Sequence, residues 1–267
     1  MKMKSLRLIS LAPTQTEIVA ALGAVEDLVG LTEDCDFPDS VCRLPRFGSW
    51  YSPDIRAILG ASPDLVLTFG PRQEEVREIL EESGVRVYHS EPPTIAAAFA
   101  SFAEIASLIG RTDNCGRLIA SLEKRLGRIR KNLESAAGRR RPSVFRIMNW
   151  DPLITPGPGA FQNDVIEFAG GVNTAGNGPA AYFVCDPEQI RARDPEIIFF
   201  CEPCIKDCLE KDGKWATVDA VRNGRIYVYD CGLTCRAGPR IVEMAEELNR
   251  VVLDFMHRPS SQRARTH

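Results

Sequence analysis

The sequence predicts an α/β protein of two lobes with largely parallel sheets, joined by one long α-helix. Three observations carry this. Short apolar β-type runs alternate with helical patterns in both halves of the chain. Several segments of the first half recur, in order, in the second. Between the halves lies a helical stretch with few breakers, about 24 residues or roughly 36 Å long at 1.5 Å per residue. The expected domains are an N-terminal α/β lobe (1–92), a helical connector (93–140), a C-terminal α/β lobe (141–257) and a flexible tail (258–267).

The first strand is "LRLISLA" (6–12), and "TEIVAALGAV" (16–25) follows as a helix with an acid in its first turn and glycine at its end. "DLVGLTE" (27–33) is the second strand. "AILGASPDLVLTFG" (57–70) is a helix stopped before proline, then an apolar strand. "SGVRVYHS" (83–90) is a glycine turn leading into an alternating strand. "TIAAAFASFAEIASLIG" (94–110) and "TDNCGRLIASLEKRLGRIRKNLESAAG" (112–138) carry helical spacing, and the second is the connector. After the strand "VFRIMN" (144–149) the motifs return: "NDVIEFAGGV" (163–172), "EQIRARDPEIIFFCE" (188–202) and "NGRIYVYD" (223–230).

With 267 residues, 44% of them hydrophobic, the chain can bury a sizeable core. A net charge of −3 argues against nucleic acid as a partner, and "GRRRP" (138–142) reads as a solvated linker. No apolar run approaches the ~20 residues that span a bilayer. As written, the chain reads as cytoplasmic; a periplasmic or cell-surface location is the alternative if its true start lies upstream. Nine cysteines are rich usage, which in a reducing compartment points to metal or redox chemistry before disulfides. An enzyme is not indicated: there is no G-x-S-x-G, no Walker loop, and no histidine beside a nucleophile candidate.

Ligands of open α/β sheets bind beyond the carboxyl ends of the strands, and two facing lobes would line one cleft. Aromatic residues recur at these ends: Trp50, Tyr51, Phe69, Trp150, Tyr182 and Phe183. Phe69 and Phe183 read equally well as plugs of their own lobe's rim. Trp50 and Trp150, set among glycine, proline and polar residues, read as binding groups. Cysteines recur there too, at Cys35, Cys185, Cys201, Cys204, Cys208, Cys231 and Cys235, whereas Cys42 and Cys115 do not share the placement.

"RLISLAPTQTEIVAALG", "CDFP", "PRFGSW", "SPDLVLTFG", "GAFQNDVIEFAGGVN" and "AGPRIVEMAEEL" together resemble the helical-backbone (class III) solute-binding proteins of ABC importers. The likeness runs from about Arg7 to Phe255 and is strongest to the cobalamin-binding branch, beside its siderophore- and haem-binding relatives. The resemblance implies two Rossmann-like lobes bridged by a long helix. It also implies a monomer with a corrinoid or related metal chelate as its ligand, no catalytic cofactor, and an ABC permease as partner. Trp50, Phe69 and Tyr182 match ligand contacts, and Arg236 and Arg240 match positions bordering the cleft. Glu74 or Glu75 in the first lobe, and Glu202 or Glu210 in the second, would dock on the permease. This chain departs from the cobalamin binder in having "CGLTC" before Arg236 and in carrying "CEPCIKDC" (201–208).

"CEPCIKDC" has C-x2-C-x3-C spacing and "CGLTC" adds C-x3-C, arrangements that suit a tetrahedral thiolate site or an Fe–S cluster. None of the three histidines lies in these loops. Three readings stand, in this order: a corrinoid or chelate binder with incidental cysteines; a cytoplasmic protein holding a Cys-ligated zinc ion or Fe–S cluster in the same cleft; and disulfides, Cys231 with Cys235 or Cys204 with Cys208, in an exported protein.

Overall fold

The computed structural model describes residues 6–258. The tail expected at 258–267 falls, beyond residue 258, outside the described residues. In chain order the elements are β1 (Leu8–Ser10), α1 (Pro13–Ala21), β2 (Leu28–Leu31), α2 (Ile55–Gly60), β3 (Leu65–Phe69), α3 (Glu74–Glu82), β4 (Val87–Ser90), α4 (Ile95–Leu108) and α5 (Thr112–Ser135). There follow β5 (Ser143–Arg146), β6 (Ile154–Pro156), α6 (Phe161–Phe168), β7 (Val172–Asn173), β8 (Tyr182–Val184), α7 (Pro187–Ala192), β9 (Ile197–Phe200), α8 (Pro203–Lys211), α9 (Asp219–Arg222), β10 (Ile226–Val228), α10 (Cys231–Thr234) and α11 (Ile241–His257).

The chain divides into two compact units. One comprises the residues up to Pro92, Ala96–Leu122 and the short return Arg236–Pro239; the other comprises Pro93–Ile95, Glu123–Cys235 and the residues from Arg240 onward. The chain passes from one to the other within α5, which has 24 residues.

Each unit holds a four-stranded parallel sheet, ordered β2-β1-β3-β4 in the first and β10-β9-β5-β7 in the second. Matching β1 with β5, β2 with β7, β3 with β9 and β4 with β10 makes the two orders the same. The duplication read from sequence is therefore a duplication of topology. The central strands are apolar on both faces, as parallel strands covered by helices must be: "IIFF" of β9 is wholly buried, as is "LVLT" of β3. The glycine turns recur in the backbone. Gly84 before β4 and Gly224 before β10 have φ of 80° and 63°, which glycine adopts without a Cβ penalty.

Two details differ from expectation. Helix α1 starts at Pro13, which takes the first-turn position where a missing N–H is harmless. Glu17 therefore lies mid-helix and is buried, not in the first turn. Tyr182 and Phe183, expected beyond the strand ends, instead lie within β8, which pairs antiparallel with β6. Helix α2 is capped by Asp54, which accepts from the Ala57 amide at 3.0 Å, and α7 by Asp186, which accepts from Glu188 at 2.8 Å. The first unit's core includes Ile9, Leu11, Ile58, Val66 and Leu80; the second's includes Phe145, Ile147, Ile198, Phe200 and Trp215.

Candidate functional site

In the first unit, buried side chains tie the strand-end loops together. Gln73, fully buried, donates to the carbonyls of Leu11 (2.7 Å) and Trp50 (2.9 Å) and accepts from the Phe69 amide (3.0 Å). One side chain thus joins the ends of β1 and β3 to the "GSW" loop. Asp34 accepts from the Trp50 amide at 2.6 Å, and Arg46 donates to the carbonyls of Thr32 and Cys35, both at 2.8 Å. The scaffold presents Trp50 and Tyr51 edge to face, with centroids 4.7 Å apart and planes at 70°. Tyr51 is 66% exposed, with the Arg72 guanidinium 5.3 Å from its ring. The Trp50 indole nitrogen is buried without a hydrogen-bond partner. Phe69 is half-buried at the end of β3.

Arg236, in the short return, ion-pairs with Glu17 at 2.9 Å and Asp36 at 2.7 Å. Burial works against its charge, but hydrogen bonds to Asp36 and Glu17 prevail and hold its pKa above the ordinary value. Cys35 is buried among hydroxyls, 3.1 Å from Thr16 Oγ1 and 3.2 Å from Thr32 Oγ1, and burial pushes its thiol pKa up.

In the second unit, Trp150 packs on buried Trp215 with centroids 5.7 Å apart. The Tyr182 hydroxyl donates to Gln162 Oε1 at 3.0 Å, and its ring is 37% exposed. Phe183 packs against the core cluster and lies over Gly178, where any Cβ would run into its ring. Cys185 is a core thiol donating to the Leu153 carbonyl at 3.4 Å, and burial pushes its pKa up to about 11.

The thiols expected to ligate a metal divide. Cys201, Cys231 and Cys235 come together at the carboxyl ends of β9 and β10, their sulfurs all within 4.8 Å of one another. Cys231 and Cys235 are 3.5 Å apart, and Cys201 and Cys235 3.8 Å. Cys35, Cys185, Cys204 and Cys208 are not in this group; the last two lie on α8, Cys204 exposed. All nine cysteines are free, so neither disulfide considered from sequence is formed.

Beside the three sulfurs lies a residue the sequence reading passed over. Arg146, at the end of β5, is fully buried, and no carboxylate is ion-paired with it among the described residues. Its Nη2 reaches Thr234 Oγ1 at 3.2 Å, Cys235 Sγ at 3.4 Å and Cys201 Sγ at 3.6 Å. Its Nη1 donates to the Ile147 carbonyl, and its Nε is buried without a partner. Hydrogen bonds from Cys231 and Cys235, aided by Arg146, hold the Cys201 thiol below the ordinary range, and the bond with Cys201 pushes Cys231 up. The signal was an arginine inside the apolar strand "SVFRIM".

Residues 8–231 match the family model described as periplasmic binding protein. The chain belongs to the periplasmic binding protein family. The vitamin B12-binding protein of Vibrio cholerae is 28% identical over 245 residues, covering 91% of this chain and 87% of that one. An uncharacterized ABC transporter substrate-binding lipoprotein of Bacillus subtilis is 25% identical over 248 residues, covering 91% and 78%. Among solved structures, the apo periplasmic heme-binding protein of Roseiflexus sp. RS-1 superposes with a TM-score of 0.82 at 25% identity, covering 94% of this chain and 99% of that one. The V. cholerae B12-binding protein gives 0.81 at 25%, covering 95% and 98%.

Membership in a family of periplasmic binding proteins, with a lipoprotein among the relatives, corrects the cytoplasmic expectation. The reading of a cytoplasmic metal protein falls with it. Nothing in the export-neutral strand "LRLISLA" distinguishes the two locations, because the periplasmic binding protein fold needs that strand either way. No described helix is long and apolar enough to cross a membrane.

Of the acids expected to dock on a permease, Glu74 is engaged by Arg77 at 2.7 Å and His89 at 3.3 Å. Glu75 is exposed in the first turn of α3. Glu202 is exposed at the start of α8, and Glu210 lies 3.8 Å from Lys206.

Proposed function

We propose that this periplasmic binding protein is the solute-binding component of an ABC-type uptake system and takes a corrinoid, or a related flat metal chelate, on its strand-end loops. The observation that carries this is the 28% identity to a vitamin B12-binding protein across 91% of the chain. The local geometry agrees with it. Trp50 and Tyr51 offer a rigid aromatic surface at low entropic cost, buttressed from behind by Gln73 and Asp34. Arg236 is fixed nearby in sequence-distant pairing with Glu17, a cation suited to amide or carboxylate groups on a ligand's rim. Tyr182 and Trp150 belong to the same proposal on the second unit, and Glu75 and Glu202 remain proposed permease contacts.

Equilibrium dialysis of the purified chain against cyanocobalamin tests the reading, with haem in a parallel arm. Saturable, equimolar uptake of cobalamin supports it. Uptake of haem alone moves the ligand to the haem class, as the Roseiflexus relative would have it. Uptake of neither refutes it.

A further inference from the structure

We propose that Cys201, Cys231 and Cys235 form a three-thiolate site for a divalent thiophilic ion of the zinc or cadmium class, with Arg146 as its built-in counter-charge. This goes beyond the solute-binding reading and does not depend on it.

Geometry is the first ground. Sulfurs around a tetrahedral ion at a Zn–S distance of ~2.3 Å lie about 3.8 Å apart. The sulfurs here are 3.5 Å and 3.8 Å apart for two of the pairs, and the third pair is within 4.8 Å. Two of the three edges thus match those of such a tetrahedron. No fourth cysteine, histidine or carboxylate joins the group among the described residues, so the fourth position falls to water or an exogenous donor. Cys231 is exposed, which gives the ion a way in.

Charge is the second. A fully buried guanidinium is costly unless paired, yet Arg146 has sulfur and hydroxyl neighbours where a carboxylate would be expected. Three thiolates, one guanidinium and one divalent ion sum to zero. A monovalent ion would leave a net negative site. The neighbouring Asp230 and Arg240, 3.7 Å apart, add no net charge. On binding, the metal displaces the thiol protons, which leave to solvent.

Position is the third. Cys201 follows β9, while Cys231 opens and Cys235 caps the short α10 that follows the neighbouring strand β10, so one end of a single sheet carries the donors. The Cys201 pair with Cys235 spans 34 positions, which a loop motif such as "CEPCIKDC" does not supply by itself.

The test uses the whole chain, reduced and desalted without air, titrated with cadmium chloride in the absence of any corrinoid. The expected result is an ultraviolet thiolate-to-metal charge-transfer band that saturates at equimolar metal and is abolished by Cys231→Ser, an exposed position where folding is not at stake. Cys42→Ser and the double variant Cys204→Ser/Cys208→Ser keep the band. Arg146→Gln weakens affinity by about 10–100-fold, the effect typical of a group behind the ligands. Circular dichroism separates that loss from unfolding. A band that survives Cys231→Ser, or that disappears only in the Cys204/Cys208 variant, overturns the assignment, and so does the absence of any saturable band in the reduced protein.

Discussion

Arg236 holds its guanidinium 2.9 Å from the buried carboxylate of Glu17, 219 positions earlier in the chain. The contact anchors the Arg236–Pro239 return to the first unit. Gly238 lets it approach, since a Cβ there would lie 3.3 Å from Glu17 Oε2. Breaking a buried pair strands a charge, whereas Asp36, largely exposed, still holds Arg236. Glu17→Gln is expected to cost roughly 3 kcal/mol in urea unfolding, the low end for buried pairs. A change of less than about 1 kcal/mol, the range of exposed pairs, would show that the contact does not anchor the return.

Trp50 is expected to carry ligand affinity without carrying the fold. Its amide and carbonyl, not its ring, make the bonds to Asp34 and Gln73. Trp50→Ala should therefore weaken cobalamin binding by about tenfold, the worth of one aromatic contact, with the melting temperature little changed. Equal affinity in dialysis of the variant and parent chains would remove Trp50 from the site.

His89 makes stability depend on pH. Burial pushes its pKa below the ordinary 6.5, with the Glu74 charge only partly offsetting. The ring is therefore neutral near pH 7 and sits 2.9 Å from Thr68 Oγ1 and 3.3 Å from Glu74. The unfolded chain takes up this proton at higher pH than the folded one. Stability from His89 is thus fully present above 6.5 and is lost as pH falls through its folded pKa. Denaturation midpoints measured across this window should decline on acidification, and less steeply in His89→Gln; parallel curves would disprove the assignment.

Phe183 is expected to report on packing. Its ring occupies the space beside Gly178, so Gly178→Ala should destabilise by about 1–3 kcal/mol as an overpacked site. Phe183→Leu in that background should recover part of the loss. Additive losses in the double-variant cycle would mean the two positions do not share that space.

Gly116 and Gly127 lie inside α5, where a Cβ meets nothing within 4 Å. Replacing either by alanine should stabilise by about 0.5–1 kcal/mol, or roughly 1–2 °C in thermal melting for a chain of this size. A lower melting temperature in calorimetry would show that glycine is needed there.

Local pattern determined much of this protein. The apolar runs, the glycine turns at Gly84 and Gly224, and the breaker-free stretch of α5 specify elements through backbone preference and periodicity, which neighbours in sequence suffice to express. Repetition of those elements then fixed two parallel sheets of one topology. What the tertiary structure decided is which side chains meet. Seven cysteines near strand ends were candidates in sequence, but sheet order brings only Cys201, Cys231 and Cys235 together. Burial turned Cys35 and Cys185 into core thiols and hid Arg146 behind the three. Gln73 was unmarked and Glu17 was read only as a first-turn acid, because a buried polar residue is defined by its distant partners, and those are chosen by packing rather than by the neighbouring letters.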